Sequence, residues 1–267
     1  MSAKIFKEIK DAIKTRNPDL LTFHDVEQVD YDQVIQGLRH PTNCLEQYAF
    51  RLHWFAGDKY LKVVMPSALH ECPGQWIIDE ISDALVKGII PPVWIRKIGI
   101  CASPEYKNFT GEYKRYTKEA DLTIIPLLGP DWTKEAQYPS VVLESGWSEP
   151  AEQLDRDASL WLAGSGGQVR VVVQVKFHRR QNRIGTRMWI KRARPTYNDS
   201  YKTSIETYEI LPPAVDPVEN PSITFEEFFA GGCPPGLDPG GCVTLDLENL
   251  RVLARRKIIN RGNVPDE

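Results

Sequence analysis

The pattern of apolar and polar positions divides the chain into short periodic segments. Ile5, Ile9, Ala12 and Ile13 recur at helical spacing with lysines between them, which predicts an amphipathic helix. A second short helix is predicted at Tyr31 to Leu38. Between Tyr48 and Met65, two aromatic and β-branched runs flank Gly57 and Asp58, the pattern of a β-hairpin. Ile77, Ile81, Ala84 and Leu85 then form a helical stripe that Gly88 stops. Pro73 and Gly74 suit the first turn of that helix, with His70 and Glu71 at its entrance.

Strands are predicted at Val93 to Ala102, Leu122 to Leu128 and Ser140 to Gly146. Ser148 is placed to cap the next helix, Glu149 to complement its dipole, and Pro150 and Glu152 to occupy its first turn. Leu154, Ala158, Trp161 and Leu162 make its buried stripe. Val169 to Phe177 is almost continuously apolar, as expected of a central strand covered on both faces. The order from Ala68 to Phe177 is therefore helix, three strands, helix, strand. The last step is a β-α-β crossover, which makes its two strands parallel if they share a sheet and puts their C-terminal ends on one edge, the usual place for a site.

Beyond Phe177, Arg187 to Ala193 and Tyr201 to Leu211 read as strands, and residues 222–229 mix a strand with a helical turn. Residues 242–258 read as a short strand and a C-terminal helix. The expected organisation is one α/β domain, with an N-terminal helical extension over 1–44, a core over 45–195 and a C-terminal β/α extension over 196–267.

Composition narrows the classes. The chain has 267 residues, 42% hydrophobic and 26% charged, with a formal net charge of −3, so any nucleic-acid contact must be made by a local patch. Five scattered cysteines with no C-x-x-C pair point to reduced thiols in an intracellular protein of cytoplasm or nucleus. Cys233 and Cys242 flank a Pro/Gly loop and read as two surface thiols. The first residues lack the uninterrupted apolar run of a signal peptide, and no stretch approaches a membrane span. The chain has no P-loop, and its GSGG lacks dinucleotide-binding spacing. HECPG is not HExxH, and GWSEP is not a nucleophile elbow.

The candidate chemistry lies in acids on strands. Asp121 borders one apolar strand and Glu144 sits in the next, where a carboxylate is costly unless it is paired or bound to a cation. Two such groups converging at a sheet edge suit Mg²⁺ or Mn²⁺, which polarises a phosphate and acidifies an attacking water. The bland alternative is that Asp121 begins a strand and Glu144 pairs with an arginine. Lys176 follows Gln174 by two residues and shares its face, where an amine orients water or stabilises charge, unless it simply reaches solvent.

The order MPSALHE, helix, strand, KEADLTIIP, YPSVVLESGWSEP, LDRDASLWL, QVRVVVQVKF resembles the PD-(D/E)XK, or restriction-endonuclease-like, superfamily. It is most similar to the Uma-two type of endonuclease and to an uncharacterised group of fungal proteins related to it. The similarity covers roughly residues 45–195. It implies an α-β-β-β-α-β core with a mixed sheet, hydrolysis of DNA phosphodiesters with Mg²⁺ or Mn²⁺, and metal ligation by Asp121 and Glu144. It places Glu71, with His70, where the first core helix often supplies a polar group. The superfamily has a lysine two residues after the third-strand acid; this chain has Gly146. The following helix, where some relatives carry that lysine, has Arg156 and Asp157 and no lysine. Lys176, on the neighbouring parallel strand, is the geometric substitute. The alternative is a catalytically degenerate nuclease fold kept for nucleic-acid binding or protein interaction.

From Lys176 to Arg194 the chain carries eight cations and no acid: Lys176, Arg179, Arg180, Arg183, Arg187, Lys191, Arg192 and Arg194, with Trp189 among them. A second basic stretch runs from Arg251 through Arg255, Arg256 and Lys257 to Arg261. Such stretches neutralise phosphates while a tryptophan stacks on a base, or they form solvated faces paired with acids elsewhere.

Overall fold

Alternation along two strands of the hairpin sets the first layer of the fold. The computed structural model describes residues 1–147, 150–195 and 201–267, with the backbone alone at Arg194, Pro195 and Tyr201. The expected roles of Ser148 and Glu149, and the side chain of Arg194, lie outside the described residues. The chain divides into two units, Met1–Ser67 with Glu105–Glu119, and Ala68–Pro104 with Ala120–Glu267. This division cuts the chain at other places than the 44/45 and 195/196 boundaries expected from sequence.

In the first unit, α1 (Ser2–Thr15), β1 (Leu20–Phe23) and α2 (Gln28–Leu38) precede the hairpin β2 (Arg51–Phe55) and β3 (Tyr60–Val64). The sheet order is β1-β3-β2. Ile5, Ile9, Ala12 and Ile13 are all buried, as their spacing predicts, and form one core with Leu52, Trp54, Leu61 and Val63. Trp54 stacks on Tyr31 with ring centroids 4.8 Å apart. β1 was not expected; its four residues are too few to show a period.

The second unit opens with α3 (Cys72–Val86), the short α4 (Pro92–Ile95) and β4 (Ile98–Ala102). The strand expected from Val93 therefore starts later. Pro92 sits at the head of a helical turn, where its fixed φ fits and its missing N–H costs nothing. The chain then returns to the first unit for β5 (Glu105–Tyr106) and β6 (Lys118–Glu119). Trp54 and Thr117 exchange backbone hydrogen bonds of 2.7 and 2.9 Å, which lays β6 along β2. Across these strands runs a row of basic side chains on the face away from the apolar core. His53 lies opposite Lys62, and Lys118 Nζ is 3.1 Å from His53 Nδ1. Arg51, two residues along from His53, shares their face, and all four are buried.

Back in the second unit come β7 (Leu122–Leu128), β8 (Lys134–Glu135), β9 (Val141–Gly146), α5 (Ala151–Gly164), β10 (Val171–Arg180), β11 (Arg183–Pro195) and β12 (Tyr201–Leu211). They are followed by β13 (Ser222–Thr224), α6 (Phe225–Phe228), β14 (Cys242–Thr244), α7 (Leu247–Asn260) and β15 (Val264–Pro265). The main sheet has the order β12-β11-β10-β9-β7-β4 and is mixed: β9 and β10 are parallel, while the other neighbours on this path are antiparallel. Leu122, Ile124, Val141, Leu143, Val171, Val173 and Val175 share a core with Trp76, Ile77 and Ile81 of α3 and Leu250 and Leu253 of α7. The alternate positions face the other side, where Trp161 of α5 meets Glu144. The fold is thus α/β with a mixed sheet. No described helix is long and apolar enough to cross a membrane.

Candidate functional site

Asp121 sits one residue before β7, at the point where the chain enters the sheet. Its backbone N–H donates to the Leu143 carbonyl at 3.2 Å, and its own carbonyl accepts from Ser103 N–H at 3.2 Å, so both flanks fix it. Leu122 pairs with Leu143, which sets Asp121 opposite Glu144 in the continued register. Both carboxylates are nearly buried, at 7% and 3% exposure. Such groups are tolerable only with donors close by.

The donors differ. Asp121 Oδ2 accepts a short hydrogen bond from the Ser145 backbone N–H, and Oδ1 lies 3.8 Å from His70 Nδ1. Glu71 Oε1 is 4.0 Å from the same nitrogen, so the two carboxylates converge on one imidazole at the entrance of α3. Glu144 Oε1 instead accepts from the Trp161 indole N–H at 2.6 Å. The stripe that predicts α5 thus contains the residue that orients the third-strand acid, a role hydrophobic spacing alone does not reveal. Ser145 also carries a buried hydroxyl with no hydrogen-bond partner among the described residues.

Lys176 lies where parallel pairing puts it, beside Gly146, just as Gln174 lies beside Glu144. A Cβ built on Gly146 meets Lys176 Cδ at 3.2 Å and Leu154 Cδ1 at 2.7 Å. Leu154 and the lysine stem therefore fill the space over Gly146. Its Nζ donates to the Trp147 carbonyl at 2.6 Å, tying β10 to the turn after β9. Gln174 is fully engaged inside the fold, donating a short bond to the Leu154 carbonyl.

Asp121 opens onto a cleft of about 520 Å³ whose lining includes Glu71, Cys72, Gln75, Asp79 and Lys257. Burial pushes the Cys72 thiol up to about 12, with nearby Lys257 opposing, so the sulfur is an inert wall rather than a nucleophile. Of the acids expected from sequence, Asp121 and Glu71 line this cleft, whereas Glu144 and Ser145 are not among its lining residues. No group of three or more His, Cys, Asp or Glu side chains able to hold a metal is found among the described residues.

The basic stretch does not form one surface. Strand alternation puts Arg187, Trp189 and Lys191 on one face and Arg192 on the other. Buried Arg192 donates to Glu206 at 2.8 Å and to Glu227 at 2.7 Å. Lys191 makes a short ion pair with Asp155, and Arg187 pairs with Glu209 at 2.6 Å. Trp189 is half-buried between Gln174 and Thr207. At the exposed β10–β11 turn, Arg179 lies 5.9 Å over the Trp147 ring, Arg180 is 3.8 Å from Asp266 and Arg183 is exposed. Burial, then the positive charge of Arg187, lowers the pKa of His178 and so favours its neutral form.

All five cysteines are free thiols. No protein-family model matches the chain, and a comparison with curated proteins returns no match.

Proposed function

We propose that the sheet edge at Asp121 is a divalent-cation-assisted phosphodiester site in a restriction-endonuclease-like domain, acting on DNA. The observation that carries this reading is the register that sets Asp121 opposite Glu144 at one end of the mixed sheet. The element order supports it: α3, then β4, β7 and β9 as antiparallel neighbours, then α5 and parallel β10. Asp121 and Glu144 hold Mg²⁺ or Mn²⁺, and Glu71 assists from the entrance of α3. When bound, the cation supplies neutralisation of the phosphate and an acidified water. Trp161 fixes one oxygen of Glu144, and the Ser145 N–H fixes one of Asp121, so each acid keeps its direction without reorganising. Lys176 is a positioning residue: through the Trp147 carbonyl it holds the turn that follows Glu144. Arg179, Arg180 and Arg183 at the β10–β11 turn contact substrate phosphates.

The test is nicking of plasmid DNA by the full chain with Mn²⁺ or Mg²⁺. Wild type is expected to cut, and Asp121→Ala with Glu144→Ala to abolish cutting. Equal inertness of the two proteins would end the hydrolase reading. A second reading, a nuclease fold kept for binding alone, is favoured by one observation: the Lys176 ammonium is already committed to a backbone carbonyl.

A further inference from the structure

The cleft at Asp121 contains an amine that comes from outside the strands and the crossover helix. Lys257 belongs to α7, whose buried stripe is Leu250, Leu253, Ala254 and Ile258. Residue 257 is four positions from Leu253 and three from Ala254, so it lies at the margin of that stripe. The Trp76 indole donates to the Asp246 carbonyl at 2.9 Å, and Asn249 donates to Glu80 at 2.8 Å, which clamps α7 to α3. The clamp brings half-buried Lys257 into the lining of the Asp121 cleft.

Its neighbours in the second basic stretch are used elsewhere. Arg251 and Arg255 both face Glu248, at 3.2 and 3.5 Å, and Arg251 also donates to the Ile210 carbonyl. Arg256 lines a different cleft with Asp83 and Asn249. Lys257 has no ion pair among the described residues. An ammonium has three donors and a flexible stem, which suits a phosphate oxygen approaching from solvent.

We infer that Lys257 is the phosphate-anchoring amine of this cleft, binding the non-bridging oxygens of a nucleic-acid phosphodiester beside Asp121. The inference rests on the reading of the cleft as a phosphodiester site and gives the role of the absent motif lysine to the C-terminal helix. The cleft also holds Glu71, Asp79 and Asp121, so its charge favours a phosphate only once a divalent cation offsets the acids.

The test is binding of a short fluorescein-labelled DNA duplex in Ca²⁺, by anisotropy over a salt series, alongside plasmid nicking in Mn²⁺. Lys257→Gln is expected to weaken binding roughly 5- to 10-fold and to lower the salt slope by about one, while Lys257→Arg stays near wild type. A purely structural role at the helix terminus would shift the melting temperature and leave the salt slope unchanged. Lys257→Gln with wild-type affinity and slope would overturn the inference. Wild type that binds but does not nick, with Lys257→Gln binding weakly, would remove the hydrolase reading and keep Lys257 as the anchor. Wild type that neither binds nor nicks overturns both.

Discussion

Gly146→Ala tests how closely the end of β9 packs against α5 and Lys176. The added methyl lies 2.7 Å from Leu154 Cδ1, 3.3 Å from Leu154 Cγ and 3.2 Å from Lys176 Cδ. Carbon atoms pack at about 3.5–4.0 Å, so something must move by several tenths of an ångström or more. Lys176 has a flexible stem and yields cheaply. Leu154 is 1% exposed and belongs to α5, so the helix must shift or the leucine leave its rotamer. Overpacking of this kind costs about 1–3 kcal/mol. Loss of glycine freedom in the unfolded chain returns roughly 0.4–1 kcal/mol. The expected net destabilisation is about 1–2 kcal/mol by urea unfolding followed through tryptophan fluorescence. Leu154→Ala alone costs about 2–5 kcal/mol. In the double variant the new methyl enters the vacated space, so the two effects sum to less than their total by about 1 kcal/mol or more. Wild-type stability for Gly146→Ala, or strict additivity with Leu154→Ala, would refute the steric account. Any residue with a Cβ meets the same wall.

Two further outcomes follow from buried charge. Burial first, then the charge of Glu105, raises the Glu119 carboxyl to about 7, against the opposing Leu52 N–H, Arg51 and Arg39. Its folded pKa exceeds the unfolded one, so its contribution to stability is intact below about pH 4.5 and is lost as pH rises through 7. Glu119→Gln should be nearly neutral in acid and stabilising by up to about 3 kcal/mol at pH 8; a pH-independent difference would sink this assignment. Arg192→Ala removes the guanidinium shared by Glu206 and Glu227 and is expected to cost about 3–5 kcal/mol in the same unfolding assay, with a loss below about 1 kcal/mol showing that the pairs behave as surface ones.

Much of the architecture is legible in one dimension. Ile5, Ile9, Ala12 and Ile13 are buried where their spacing puts them, and residues 122–128 form the strand that their apolar run predicts. The parallel pairing of β9 and β10 follows from a crossover helix between two apolar strands. These features are legible because period, turn chemistry and connection handedness are local properties of the chain. The helical turn at Pro92 and the pairing of β1 with β3 were not, since short segments carry too few residues to show a period.

The candidate site was half legible. Asp121 and Glu144 stand out as acids next to apolar runs, and Glu71 as an acid at the entrance of a predicted helix. Their orientation does not, because it depends on an indole from the next helix, a backbone N–H across the sheet and an imidazole at the start of α3. The row of Arg51, His53, Lys62 and Lys118 is written in the alternation of three strands, yet only strand pairing shows it as a row. The basic run from Lys176 to Arg194 looks like one patch in sequence and is several things in space, because successive strand residues face opposite sides and Arg192 and Lys191 meet acids far along the chain. Local pattern alone marks the longer helices and strands and where a carboxylate must be costly. Which donors meet those carboxylates, and that Lys257 shares a cleft with Asp121 and Glu71, is set by tertiary packing, since such contacts join residues that no local period relates.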